Sequence, residues 1–189
     1  NFCSLELSSF YFDIRKDILY CDDLSSNKRK DCIVVLNIIL ECLLKWLAPI
    51  FVFTTEEIFN LINKNEKSIH ETIFPEIPQS WTNETLSQKW TELYQIKQEV
   101  NIAIEEKRSS KEIGSSLEAD LLIRVNKKEF QLLEGVDLEE YFITSKVEKI
   151  QNQVEDKMKI EVKKSTGSKC TLCWKILEKK CKRKYCGII

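Results

Sequence analysis

Hydrophobic residues near the start of the chain recur with a helical period. They are spaced four, three, four and three positions apart, at Leu7, Tyr11, Ile14, Ile18 and Cys21. This spacing places them on one face of an amphipathic helix. The polar run 22–27 interrupts the pattern, and Ser25 or Ser26 can cap the helix that follows.

The next stretch, residues 33–53, is almost entirely apolar. Its polar residues Asn37, Glu41 and Lys45 lie four positions apart and therefore form one narrow stripe on a helix. The charges in that stripe argue against a transmembrane span. We predict instead a helix buried on most of its surface within a bundle. It should end before Pro49, because proline disfavours helical backbone at the residue before it.

Two more helices are predicted in the first half of the chain. Thr54 and Glu57 have the spacing of a capping box, so a third helix should run from there to about Asn63. The prolines within residues 73–78 favour an extended connector. Helical spacing of apolar residues then returns over residues 86–110 and predicts a long fourth helix.

The hydrophobic period changes after this helix. Residues 121–125 form a short apolar run typical of a β-strand, and residues 128–133 have a helical pattern that Gly135 interrupts. Residues 141–144 could form a second strand. The charged residues 145–162 could be a linker or a solvated pair of strands.

These elements predict a mainly α protein with a small α+β unit. With only four Gly and three Pro, the composition disfavours a β-sandwich or barrel. We expect a helical bundle over residues 1–109, a small α+β unit over 110–150, and a linker with a zinc-binding module over 151–189. The chain also has no initiator Met, and we expect it to be a piece of a larger protein.

Charge is distributed unevenly between the body of the chain and its end. Residues 163–184 contain nine basic residues and one acidic residue, whereas residues 1–162 contain 20 basic and 29 acidic residues. A basic end on an acidic helical body is typical of a nucleic-acid contact module.

The eight cysteines fall into two groups. Four stand singly in helical patterns, where a free cysteine usually behaves as a small buried hydrophobic residue: Cys3, Cys21, Cys32 and Cys42. The other four cluster near the end of the chain: Cys170, Cys173, Cys181 and Cys186. Single thiols together with such a cluster suit a reducing, cytoplasmic protein better than a disulfide scaffold.

The cysteine cluster is a candidate metal site. Two cysteines separated by two residues, as at Cys170 and Cys173, can present both thiolates to one ion, and zinc (Zn2+) takes four such ligands. We predict Cys170, Cys173 and Cys186 as ligands, with Cys181 as the fourth by default. The alternative is a tail that binds no metal.

Several residues near this cluster are candidate RNA contacts. Trp174 could stack on an unpaired base or pack over the metal site. The nearby basic residues could contact phosphates or remain a solvated tail: Lys179, Lys180, Lys182, Arg183 and Lys184. Arg15 and Lys16 could face RNA or solvent.

No catalytic arrangement is recognised in the chain. His70 is the only histidine, and no thiol or carboxylate pattern surrounds it. No nucleotide-binding fingerprint is present either, since the segment around Gly114 lacks the second Gly-Lys of a phosphate loop. We therefore expect no catalytic residue in this segment.

The quoted motifs resemble those of the bacterial-type isoleucyl-tRNA synthetases, in their carboxy-terminal part. The opening run from Asn1 to Asp22 is similar to the start of the family's anticodon-binding helical domain. Further matches are Trp46-Leu-Ala-Pro-Ile-Phe51, Phe53-Thr-Thr-Glu-Glu57, Ser68-Ile-His-Glu71 with Phe74-Pro75, Lys89-Trp90, Ile113-Gly-Ser-Ser-Leu-Glu-Ala119 and the zinc knuckle Lys169-Cys-Thr-Leu-Cys-Trp174. The resemblance covers essentially the whole chain.

This resemblance implies a class I synthetase fold, with an anticodon-binding helical bundle, and recognition of isoleucine tRNA. It also implies metal ligation at Cys170, Cys173 and Cys186, although Ile189 stands where the family has its fourth ligand. The parent enzyme would be monomeric and would attach isoleucine to its tRNA with ATP and Mg2+. The catalytic and editing domains that do this chemistry would be further parts of the same parent chain.

The alternative to a synthetase is a non-catalytic RNA-binding or structural zinc protein that descends from such a domain.

Overall fold

The computed structural model describes residues 1–63, 67–152, 158–179, 181 and 183. They belong to two compact units, one formed by residues 24–83 and the other by residues 1–23 together with the chain from residue 84 onward. The fold is mainly helical with a small mixed sheet, as the sequence predicts. The boundaries predicted near residues 109 and 150 remain a proposal.

The unit of residues 24–83 is built on two helices, α2 (Asn27–Leu47) and α3 (Val52–Ile62). Ser26 caps α2, because its hydroxyl accepts a hydrogen bond from the Arg29 amide at 3.5 Å. The helix ends at Leu47, two residues before Pro49, as predicted. A small apolar core holds the unit together and contains Leu44, Ala48, Phe59 and Ile69.

Two predictions for this unit are wrong. Helix α2 is not buried on most of its surface, since only Cys32, Cys42 and Leu44 are buried along it and the core of this unit is too small to cover more. The predicted capping box does not form either. Helix α3 begins at Val52, before Thr54, and Phe51 is its N-cap.

Glu56 connects α3 to the 3-10 turn Ile69–Glu71. Its carboxylate accepts hydrogen bonds from the Ser68 hydroxyl and the Ile69 amide, both at 2.9 Å. Burial acts to raise the pKa of Glu56, but these hydrogen bonds outweigh it and hold the pKa below its ordinary value.

None of the helices in the described residues combines the length and the apolar character that a membrane-spanning helix needs.

The other unit begins with a π-helix, Phe2–Phe12, that continues directly into α1 (Asp13–Cys21). After residue 84 come α4 (Glu84–Ser109), β1 (Ala119–Val125), α5 (Lys127–Leu132) and α6 (Leu138–Tyr141). Helix α4, strand β1 and helix α5 confirm the sequence prediction.

The three-stranded sheet has the order β2-β1-β3. Strand β1 runs parallel to β2 (Lys146–Gln151) and antiparallel to β3 (Lys159–Lys164). Alternate residues of β1 are buried, and they share one core with Leu93, Ile96 and Val100 of α4. Helix α4 therefore supports the sheet that carries the end of the chain.

The second strand was predicted at the wrong place. Residues 141–144 contain the end of α6 and a turn with Ile143 at φ 58°, because Asp137 caps a short helix by accepting a hydrogen bond from the Glu140 amide. The strand begins at Lys146 instead. The charged stretch 145–162 thus supplies a pair of strands, and each of them pairs with β1.

Candidate metal and RNA-binding site

Residues 167–177 form a hairpin, here called the metal loop. Its strands β4 (Ser168–Lys169) and β5 (Ile176–Leu177) pair antiparallel. Gly167 begins it at φ 132°, and a Cβ atom at this position would lie 2.4 Å from the carbonyl oxygen of Leu177. A side chain does not fit there, so the loop closes only because residue 167 is glycine.

The tip of the metal loop is a tight turn that contains the Cys-x2-Cys element. The Trp174 amide donates to the Cys170 carbonyl at 3.0 Å, and the Cys170 amide donates to the Lys175 carbonyl at 2.9 Å. Trp174 adopts φ 61°, which reverses the chain direction directly after the second cysteine. This backbone brings the thiols of Cys170 and Cys173 to one side.

Three thiols converge at this turn. The Sγ atoms of Cys170, Cys173 and Cys181 all lie within 4.8 Å of one another, and Cys173 is buried. Ligands about 2.3 Å from a tetrahedral zinc ion are about 3.8 Å apart, so the spacing fits a thiolate-bound metal ion. The three cysteines can therefore hold a metal ion.

Burial affects the chemistry of the central thiol. Burial, together with the neighbouring thiols of Cys170 and Cys181, raises the pKa of Cys173 to about 11. At neutral pH the Cys173 thiol therefore keeps its proton unless a cation takes its place. The predicted ligand Cys186 lies outside the described residues.

Trp174 stands on the surface of the metal loop. Its side chain is 60% exposed, although a ring of this size is usually buried to a large extent. The ammonium of Lys169 lies 6.0 Å from the centre of the ring. An exposed aromatic plane with a cation beside it is a suitable platform for an unpaired base.

A cavity of about 330 Å³ lies beside the tryptophan, between α1, the end of α6 and the metal loop. Its walls include Tyr20, Ile143 and Leu172, and four carboxylates also line it: Asp13, Asp17, Glu139 and Glu140. Lys16 and Lys175 line it too, so charges of both signs meet in this cavity.

Three of the basic residues predicted to contact RNA have carboxylate partners. Arg15 Nη1 lies 2.5 Å from Glu140 Oε1, and Lys16 Nζ lies 2.5 Å from Asp13 Oδ1. Arg183 pairs with Asp17 and Asp22. Burial acts to lower the pKa of Arg183, but the hydrogen bond to Asp17 and the charges of both carboxylates outweigh it and raise that pKa.

Lys179 is exposed on the chain just after the metal loop. Lys180, Lys182 and Lys184 lie outside the described residues.

Asp17 and Asp22 are site residues that sequence reasoning missed. Asp17 lies 166 positions before Arg183, and no spacing rule connects residues so distant in the chain. The same is true of Ser145, whose hydroxyl accepts a hydrogen bond from the Ile176 amide at 2.7 Å and so attaches the metal loop to the sheet.

The single cysteines were predicted more accurately. Cys21, Cys32 and Cys42 are buried, whereas Cys3 is exposed, against the prediction. His70 has a structural contact, with its Nε2 atom 3.3 Å from the Val52 carbonyl oxygen.

Comparison with known proteins identifies the family. Residues 1–123 match the model of the anticodon-binding domain of tRNA ligase. The chain is 56% identical to the isoleucine–tRNA ligase of Pelagibacter ubique over 97% of its own length and 20% of that protein. It is 39% identical to that of Agrobacterium fabrum and 41% identical to that of Methylacidiphilum infernorum, in each case over 93% of this chain and 19% of the relative.

The chain thus spans about a fifth of the length of these curated relatives. The family match extends from the first helix through α4 and into β1, so it includes most of the helices described above. The chain therefore belongs to the family of anticodon-binding domains of tRNA ligases.

Proposed function

We propose that this chain is the tRNA-binding part of an isoleucine–tRNA ligase and that it binds the anticodon region of isoleucine tRNA. The observation that carries this proposal is the match of residues 1–123 to the anticodon-binding family. The choice of isoleucine rests on the names of the relatives, which are isoleucine–tRNA ligases.

RNA recognition would depend mainly on Trp174. An unpaired anticodon base would stack on its exposed ring, an interaction that stabilises a complex by about 1–3 kcal/mol per base. Lys179 and the lysines at 180, 182 and 184 would contact phosphates beside it. Lys16 would add a weaker contact, since its exposed ion pair with Asp13 contributes only about 0–1 kcal/mol and phosphate can replace the carboxylate. Arg15 would contact RNA only by leaving Glu140, whose side chain is 10% exposed, so its contribution would be smaller still.

The converging cysteines would bind zinc. Cys170, Cys173 and Cys181 would supply three thiolates, and Cys186 would supply the fourth. Zinc bound to four thiolates contributes directly to the folding free energy of a small module. In this site the four cysteines would fix the turn that carries Trp174, so that its ring meets the RNA in one orientation.

The parent protein would attach isoleucine to its tRNA in the cytoplasm, as a monomer, with ATP and Mg2+ bound outside this segment. The support for this activity is that the relatives are isoleucine–tRNA ligases and are about five times as long as this chain. The present segment would hold the anticodon stem and loop, while catalytic and editing domains of the same parent chain act on the amino acid.

Replacement of Trp174 tests the proposed RNA contact. We expect Trp174→Ala to weaken binding of the isoleucine tRNA anticodon stem-loop by about tenfold, because a base loses its stacking surface. Fluorescence anisotropy at fixed salt measures the affinity. Trp81→Ala, which removes another exposed tryptophan far from the metal loop in sequence, is the matched control. Equal affinities of Trp174→Ala and the unmodified chain would exclude the stacking role.

A further inference from the structure

Arg183 makes a two-point contact with helix α1. Its Nη1 atom lies 2.6 Å from Asp17 Oδ2, and its Nε atom lies 3.2 Å from Asp22 Oδ1. All three side chains are partly buried, with exposed fractions of 30% for Arg183, 21% for Asp17 and 17% for Asp22. Two separate nitrogens of one rigid guanidinium therefore bind carboxylates in and directly after helix α1.

This geometry does not suit a phosphate contact. To bind RNA, Arg183 would have to leave both carboxylates, and two partly buried negative charges would remain without their cation. The RNA phosphate would then lie close to those same charges. The cost of that exchange favours the existing pairs.

The place of Arg183 in the chain indicates what the contact does. Arg183 lies two residues after Cys181, whose thiol completes the cluster with Cys170 and Cys173. Fixing Arg183 on α1 therefore fixes the third thiol of the metal site. The metal loop itself is attached beside the sheet by the Ile176 amide, which donates to the Ser145 hydroxyl.

We propose that Arg183 is a positioning residue that clamps the metal site onto helix α1 through Asp17 and Asp22. Asp17 lines the cavity beside Trp174, so the clamp joins the wall of that cavity to the metal site. In this way it sets the direction in which the Trp174 ring faces the RNA. This inference rests on the proposed function, because it assigns Arg183 a role in RNA binding without contact to RNA.

For the RNA affinity of Asp17→Asn, the clamp and simple electrostatics predict opposite changes. Asp17→Asn removes a negative charge near an RNA-binding surface, which by charge alone should strengthen binding. If the clamp orients Trp174, the same substitution weakens binding. Asp13→Asn is a matched control on the same helix, because its carboxylate pairs with Lys16 rather than with Arg183.

The test uses the zinc-loaded chain and the anticodon stem-loop of isoleucine tRNA over a range of salt concentrations. We expect Arg183→Gln and Asp17→Asn each to weaken binding by about tenfold, and the double variant to be no weaker than either one. The slope of log affinity against log salt should stay unchanged in both variants. Asp13→Asn should bind as tightly as the unmodified chain, or slightly more tightly.

A phosphate contact would give a different pattern. Arg183→Gln would then lower the salt slope by about one, and Asp17→Asn would bind at least as tightly as the unmodified chain. Either result would overturn the clamp.

A second readout needs no RNA. Hydrogen–deuterium exchange in residues 168–177 should become several-fold faster in Arg183→Gln and in Asp17→Asn, but not in Asp13→Asn. Unchanged exchange in both variants would overturn the clamp even if the chain binds RNA. Conversely, failure of the unmodified chain to bind the stem-loop would reject the proposed function, and the exchange result would still decide the clamp.

Discussion

Lys97 is a buried cation of the larger unit, at the contact between α4 and the end of α6. Its side chain is 7% exposed, its ammonium donates to the Tyr141 carbonyl at 2.6 Å, and the rings of Phe10 and Tyr141 lie 5.3 and 4.9 Å away. Burial lowers the pKa of Lys97 to about 8, while the charge of Asp13 acts in the opposite direction. The hydrogen bond thus joins α4 to the end of α6, but burying the charged ammonium costs folding free energy.

This cost predicts a pH dependence of stability. The folded pKa of about 8 lies below the ordinary value of 10.5, so the folded chain carries the full penalty below pH 8. The penalty disappears as the pH rises from 8 towards 10.5, and the free energy of unfolding should increase by on the order of 2 kcal/mol. Urea unfolding of the chain and of Lys97→Met at several pH values measures it.

The Lys97→Met variant lacks the titrating group and should not show this increase. Parallel pH profiles of the two proteins between pH 7.5 and 10 would contradict the assignment.

At the scale of elements, the sequence predicts most of the fold because periodicity reports the buried face of long helices. Helix α4 and strand β1 follow from their spacing alone. The errors occur where one local contact decides between alternatives. Asp137 caps a short helix over residues that resemble a strand, and α3 begins before its apparent capping box, since the Thr55 backbone amide already donates to the Phe51 carbonyl.

The candidate site was predictable only in part, for the same reason. The spacing of Cys170 and Cys173 is local and identifies the knuckle from the sequence. The ion pairs of Arg183 with Asp17 and Asp22 join distant segments, so they appear only once the chain is folded. Without them, Arg183 was grouped with the phosphate-binding residues because of its charge.

The metal loop makes a prediction at this scale. Gly167→Ala should disrupt the hairpin β4–β5, because the new Cβ would clash with the Leu177 carbonyl and the backbone at φ 132° is unfavourable for L residues. We expect zinc to be lost faster to a chelator from this variant. Gly135→Ala is the control, since Gly135 also has a positive φ of 75° but open space around it. Equal zinc release from both variants would show that the hairpin does not depend on Gly167.

At the scale of the whole molecule, the acidic helical body and the basic end have different tasks. In the proposed function the body would provide the framework, and a metal ion at the three cysteines would fix the exposed Trp174 at the end. The metal should therefore be required for this arrangement. We expect Cys170→Ser to lose bound zinc, whereas Cys3→Ser, which replaces an exposed cysteine far from the cluster in sequence, should retain it.

Elemental analysis of the purified variants measures the zinc content. Equal zinc in Cys170→Ser and Cys3→Ser, or none in the unmodified chain, would exclude the cluster as a zinc site.

Binding of RNA by the intact, reduced and zinc-loaded chain tests the central claim most directly. The affinity for the isoleucine tRNA anticodon stem-loop is compared at one salt concentration with the affinity for a hairpin of the same stem and a scrambled loop. We predict a preference of at least about tenfold for the cognate loop, because its unpaired bases stack and hydrogen-bond specifically. Equal affinity for the two hairpins would contradict the assignment of this chain as an anticodon-binding module of isoleucine tRNA.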